Sequence, residues 1–156
     1  MIYYLGLGTN IGDLEQNLKN ALMYISEIKG CKIKKISAFY NTKPWGFEYQ
    51  DDFLNLVAEI EAVYPPQEFI YHLQHIERNM GRIDLCKWGP RIIDIDILFC
   101  DDMVIDTEEL KIPHPFLHQR EFVLRPMLEI APDFIYPTLK VSIKDLYDEL
   151  LQEEKC

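Results

Sequence analysis

Phe53-Leu54-Asn55-Leu56-Val57-Ala58-Glu59-Ile60-Glu61-Ala62-Val63 alternates in the two-residue rhythm of a half-buried strand. Side chains along a strand point to opposite faces in turn, so Leu54, Leu56, Ala58, Ile60 and Ala62 share one side. The other side carries Phe53, Asn55, Val57, Glu59 and Glu61: an aromatic ring, an amide and acids. A second strand of the same kind runs from Arg91 to Phe99. There Ile93, Ile95, Ile97 and Phe99 are expected on one face and Asp94, Asp96 and Leu98 on the other.

Working outward, Ile2 to Gly8 reads as a short apolar strand and Lys32 to Tyr40 as another. Between them Leu14, Leu18, Leu22 and Ile25 recur at helical spacing. Asp13, with Gln16 three residues on, has the pattern of a capping box, and Gly30 is a plausible helix end. A second helix opens at Pro65-Pro66, buries Phe69, Leu73, Ile76 and Met80, and closes at Gly81. A Pro-punctuated stretch, Ile112 to Pro137, precedes a terminal helix over Ser142 to Glu154. The order β-α-β-β-α-β predicts an α+β, ferredoxin-like antiparallel sheet with two helices on one face, plus a C-terminal extension with an additional helix. Residues 1–156 are expected to form one domain. The sheet's other face, carrying Phe53 and Asn55 on one strand and Asp94 and Asp96 on the next, is the candidate site.

Composition narrows the function. Lys plus Arg is 16 against 26 for Asp plus Glu, a net charge of −10 that argues against nucleic-acid binding by charge. No apolar run reaches the roughly 18 residues of a membrane helix, and no signal peptide is evident, so a cytoplasmic location is expected. Cys31, Cys86, Cys100 and Cys156 show neither disulfide nor zinc spacing and read as reduced. His72 and His75 lack a third ligand at zinc spacing. Gly6-Leu7-Gly8 imitates a dinucleotide fingerprint, but Gly12 falls one residue late and no crossover follows; a Walker A motif is absent.

Asp94 and Asp96 point the same way, with attachment points roughly 7 Å apart, and can converge on one or two hard cations such as Mg2+. A solvated acidic strand is the plain alternative, yet like charges beside an Ile-rich core are costly without a compensating cation. All five arginines, Arg78, Arg82, Arg91, Arg120 and Arg125, fall between positions 78 and 125. Arginine forks phosphate oxygens bidentately, and Arg82 and Arg91 bracket the loop feeding the aspartate strand; surface solubility is the alternative for these two and the preferred reading for Arg78 and Arg125. Gln74 and Glu77 share a polar helix face near Gly81-Arg82; either a solvated face or contacts to a ribose or pterin fit that position. Pro113-His114-Pro115 offers an imidazole to a phosphate, or simply caps a turn. Phe53 with Asn55 suits a planar heterocycle, although packing alone would account for Phe53.

Gly8-Thr9-Asn10-Ile11-Gly12-Asp13 continuing to Asn17-Leu18, Phe53-Leu54-Asn55, and above all Lys87-Trp88-Gly89-Pro90-Arg91-Ile92-Ile93-Asp94-Ile95-Asp96-Ile97-Leu98 resemble the 6-hydroxymethyl-7,8-dihydropterin pyrophosphokinase family. Pro113-His114, Arg120 to Leu124 and Glu129-Ile130-Ala131-Pro132 extend the resemblance over nearly the whole chain. It implies a Mg-dependent transfer of pyrophosphate from ATP to the pterin hydroxymethyl oxygen, releasing AMP in folate biosynthesis, with two Mg2+ held by Asp94 and Asp96. It also implies that Arg82 and Arg91 stabilise the transferring group, with His114 and Arg120 on ATP phosphates. Gln74 and Glu77 would face the nucleotide, and Ile97 would read adenine through its backbone. The pterin would stack between Phe53 and Phe122, edged by Thr42, Asn55 and the backbone of Lys43 and Trp45, with Asp94 beside it and Trp88 closing as a lid. Both partners are small molecules, and functional coupling to the next folate enzyme is compatible with the resemblance. A non-catalytic ferredoxin-like binding or regulatory module, and a metal-dependent phosphoesterase, are the competing readings. Neither needs a guanidinium clamp and a pterin platform together.

Overall fold

The computed structural model describes residues 1–42, 52–81, 92–115 and 121–155, and of residues 121, 122 and 153–155 the backbone alone. Its elements are β1 (Ile2–Thr9), α1 (Leu14–Glu27), β2 (Cys31–Ile36), β3 (Tyr40–Thr42), β4 (Phe53–Ala62), α2 (Pro66–Asn79) and β5 (Asp94–Cys100). There follow a small ribbon of β6 (Ile105–Asp106) and β7 (Lys111–Ile112), then α3 (Glu121–Ile130) and α4 (Ile143–Lys155). The main sheet runs β2-β4-β1-β5, every pairing antiparallel, with β3 also on β4. This is the expected ferredoxin-like order, with β1 and β4 inside.

One face is dry throughout. Tyr3, Leu5 and Leu7 of β1, Leu56, Ala58 and Ile60 of β4, and Ile95 and Ile97 of β5 pack with Leu18, Ala21 and Ile25 of α1 and Phe69, Leu73 and Ile76 of α2. Burying these side chains is the main term holding helices to sheet. Helix α1 starts as expected: Asp13 is its N-cap, with Oδ1 accepting from Gln16 N at 3.2 Å. The reciprocal half of the capping box is not made, because the Gln16 side chain donates to Asn20 Oδ1 instead. Asp13→Ala should therefore cost about 1 kcal/mol, read as a melting-temperature fall of about 2–4 °C by circular dichroism. An unchanged melting temperature would show that this cap adds nothing.

Three expectations need correction. The strand expected over Lys32 to Tyr40 is broken into β2 and β3. At the break Ser37 N donates to Val57 O and Ser37 Oγ accepts from Val57 N, both at 2.9 Å, so a side chain replaces one rung of the ladder. Phe99 lies on the face opposite Ile93, Ile95 and Ile97. Tyr4 pairs with Phe99 while Leu5 pairs with Ile97, so Leu98 is an extra residue that resets the alternation. The Ile112 to Pro137 stretch contains α3, a helix hidden from sequence reading by Pro126 inside it.

Helices α3 and α4 cover part of the sheet face that carries the candidate site. Val123, Leu124, Met127 and Ile130 of α3 and Ile143 and Leu146 of α4 pack on Tyr4, Val57, Leu98 and Phe99. Phe99 is 0% exposed and meets Phe134 at 4.7 Å and Tyr136 at 5.3 Å between ring centroids. The cover lies over the start of β1 and the far ends of β4 and β5. The other end of that face carries the candidate site. Among the described residues no helix is long and apolar enough to cross a membrane.

Candidate functional site

Strand register assembles the site. Gly8 of β1 sits between Asn55 of β4 and Asp94 of β5, and Gly6 sits between Val57 and Asp96. Paired residues in an antiparallel sheet face the same side, so Phe53, Asn55, Asp94 and Asp96 share the uncovered end of one face. The glycines form its floor. A Cβ on Gly8 would stand 2.6 Å from Asn55 Oδ1, so only hydrogen lets the amide lie where it does; Phe53 Cδ1, at 3.6 Å, would be in ordinary contact. With strands about 4.8 Å apart, β4 and β5 are separated across β1 by roughly 10 Å. That spacing divides the site into an amide-and-aromatic side and a carboxylate side.

On the first side Asn55 Nδ2 donates to Thr42 Oγ1 at 2.5 Å, fixing which way the amide points. Phe53 pairs with Thr42 and Asn55 with Tyr40, so β3 brings Thr42 to the site through backbone register. On the second side Asp94 and Asp96 are half-buried, and His114 Nε2 stands 3.9 Å from Asp96 Oδ1. His114 Nδ1 lies 2.9 Å from Pro115 O, which suits an Nδ1–H donor and turns Nε2 toward the aspartate. His114 N donates to Leu98 O at 3.1 Å, so the bulged residue anchors the imidazole.

Glu77 does not belong to a solvated helix face. It is 6% exposed, and its Oε2 accepts from Ile95 N at 2.9 Å, between the two aspartates. The carboxylate thus ties α2 to β5, while Gln74, one turn earlier, is half-buried. Ile97 has a core-facing side chain. Its backbone groups point outward like those of Ile95, two residues before, because β5 is the sheet's edge.

Lys43, Trp45, Arg82, Trp88, Arg91 and Arg120 lie outside the described residues, as does the side chain of Phe122. Of the expected site, the structure brings together Thr42, Phe53 and Asn55 on one side and Asp94, Asp96 and His114 on the other. Among the described residues no cluster of three or more His, Cys, Asp or Glu could hold a metal. Two co-facial carboxylates nevertheless fit Mg2+, which binds through one or two protein carboxylates with water and phosphate oxygens completing its shell. Of the cysteines, Cys31 and Cys100 are free, and burial pushes each thiol up to about 11. Cys86 and Cys156 lie outside the described residues.

Comparison with known proteins adds chemistry to this geometry. The model of the family described as 7,8-dihydro-6-hydroxymethylpterin-pyrophosphokinase matches residues 4–132. The chain is 44% identical over 153 residues to the 2-amino-4-hydroxy-6-hydroxymethyldihydropteridine pyrophosphokinase of Aquifex aeolicus, covering 98% of this chain and 94% of that one. With the Haemophilus influenzae protein of the same name it shares 39% over 138 residues, covering 88% and 86%. Plasmodium falciparum HPPK-DHPS, solved with pteroate, superposes with a TM-score of 0.78 at 19% identity, a likeness of fold alone. The match covers 99% of this chain but 43% of that longer one.

Proposed function

Because the chain belongs to the 7,8-dihydro-6-hydroxymethylpterin-pyrophosphokinase family, we propose that the uncovered end of its sheet is where ATP and pterin meet. The reaction transfers pyrophosphate from ATP to the hydroxymethyl group of 6-hydroxymethyl-7,8-dihydropterin, giving the pterin pyrophosphate and AMP in folate biosynthesis. The observation that carries the assignment is the division of one face by Gly6 and Gly8, with carboxylates on β5 and an aromatic-amide pair on β4. The pterin lies over β4, stacked on Phe53 with Phe122 above it, and its edge meets Asn55, Thr42 and the backbone of Lys43 and Trp45. The triphosphate lies toward β5.

Asp94 and Asp96 hold two Mg2+ ions, with Asp94 also nearest the pterin. When bound, Mg2+ supplies charge neutralisation on the phosphate oxygens and helps align them. The chain's own groups do the rest. Arg82 and Arg91 fork the transferring group, and His114 and Arg120 contact ATP phosphates. Gln74 and Glu77 serve the nucleotide side, Glu77 through the strand that it ties down. The outward backbone of Ile97 reads the adenine. Trp88 closes as a lid and excludes water. Because phosphoryl-type transfer depends chiefly on in-line placement and neutralised charge, no strong base is required.

We assign the whole of residues 1–156 to this one catalytic domain and place the reaction in the cytoplasm, where its ATP is made. The likeness to HPPK-DHPS chains supports functional coupling to the next folate enzyme.

The test is product analysis. Incubated with Mg2+-ATP, the protein should release AMP only when the hydroxymethyl dihydropterin is present, and chelation of divalent cations should stop it. ADP, orthophosphate or AMP formed without pterin would overturn the assignment.

A further inference from the structure

The far end of α3 grips the strand that brings Thr42 to the site. Glu129 accepts from Ala38 N with both carboxylate oxygens, at 3.1 and 2.9 Å, and its Oε1 also accepts from Tyr40 OH at 2.6 Å. Two neighbours reinforce the contact: Lys35 Nζ donates to Ile130 O at 3.3 Å, and the Arg125 guanidinium lies 5.4 Å from the centre of the Tyr40 ring. The same hydrogen bond from Tyr40 is the main cause of that phenol's raised pKa. The Lys35 contact falls on the end of β2 and the others on the Ser37–Phe39 break and on β3, a strand of only 3 residues at the sheet's edge. So short an edge strand has little pairing of its own to hold it. Its last residue, Thr42, accepts the Asn55 amide, whose other end abuts Gly8.

We propose that Glu129 is a positioning residue for the pterin: through Ala38 and Tyr40 it holds β3 in place, so that Thr42 keeps the Asn55 amide aimed at the acceptor. This inference rests on the pterin lying over β4. It makes the C-terminal extension part of substrate recognition as well as of the core. It also makes the effect one-sided, because β5, with Asp94 and Asp96 and the Glu77 of α2 that ties it down, lies across β1 and has no contact with Glu129 among those described.

The test uses the 156-residue chain, Glu129→Ala and Glu129→Gln, with 6-hydroxymethylpterin and a non-hydrolysable ATP analogue plus Mg2+ as binding probes, and Mg2+-ATP with 6-hydroxymethyl-7,8-dihydropterin for the rate. Glu129→Ala should weaken pterin binding about tenfold, the effect of losing roughly one charge-assisted hydrogen bond. Nucleotide binding and the rate at saturating pterin should stay within about twofold, since a positioning effect on one substrate appears in its binding constant. Amide exchange at Ala38 and Thr42 should quicken. Glu129→Gln keeps an acceptor and should recover most of the loss. Faster exchange with unchanged pterin affinity would overturn the proposal, as would pterin and nucleotide affinities falling together with the melting temperature. If wild type binds the pterin and the variants match it, this inference alone fails. If wild type does not bind the pterin, the site assignment fails and takes the inference with it.

Discussion

Asp96→Ala is expected to lower pterin-dependent AMP formation by about 10³-fold, on the order of 4 kcal/mol of transition-state stabilisation. The side chain is 37% exposed and faces the uncovered end of the sheet, so its removal should leave the fold intact. On the proposed site, what would disappear is one of the two carboxylates beside the glycine floor and with it a share of the hold on Mg2+. Two measurements make the case together: AMP release under saturating Mg2+-ATP, and Mg2+-dependent nucleotide binding by calorimetry. Both should fall while the melting temperature stays within a few degrees. A variant that keeps near-full turnover would remove Asp96 from the metal site.

Gly8→Ala should raise the pterin dissociation constant by about 100-fold, close to 2.7 kcal/mol. The new methyl would stand 2.6 Å from Asn55 Oδ1. Asn55 has a short side chain whose other amide atom is already committed to Thr42, so it cannot give way without breaking that bond. The methyl also raises the floor where a flat acceptor would lie. Gly6→Ala is the comparison. Its methyl would meet Leu98 Cδ2 at 3.3 Å, a flexible side chain that can yield, and Gly6 lies beside Asp96 instead of Asn55. Its effect on pterin affinity should be small. Equal effects from the two substitutions, measured by fluorescence titration with 6-hydroxymethylpterin, would show that Asn55 does not define the acceptor's place.

Much of this was legible in the residues. Alternation in β4 gave the correct faces, because a strand between a dry layer and a wetter one has little freedom in which side chains it buries. The pairing of Phe53 and Asn55 with Asp94 and Asp96 on one face followed from two such strands and the βαββαβ order. The failures are equally specific. Phe99 was misplaced because periodicity assumes an unbroken ladder, and the extra residue at Leu98 can only be seen against its partner strand. Helix α3 was missed because Pro126 vetoes helices locally. Here the apolar face of Val123, Leu124, Met127 and Ile130 supplies tertiary packing that outweighs the lost backbone bond. Glu77 looked like a surface acid because nothing near it in sequence reveals the Ile95 N–H waiting across the fold. Glu129 was legible as part of a family resemblance but not as a contact, since its partners Ala38 and Tyr40 are remote in the chain.

The bulge at Leu98 has a practical consequence for anyone altering this protein. Along a single strand it separates the two residues to which the proposed site assigns turnover, Asp94 and Asp96, from a segment answerable to solidity, Phe99 and Cys100. Lesions upstream of that seam should yield well-folded but idle molecules, and lesions downstream should yield fragile ones that still work while they last.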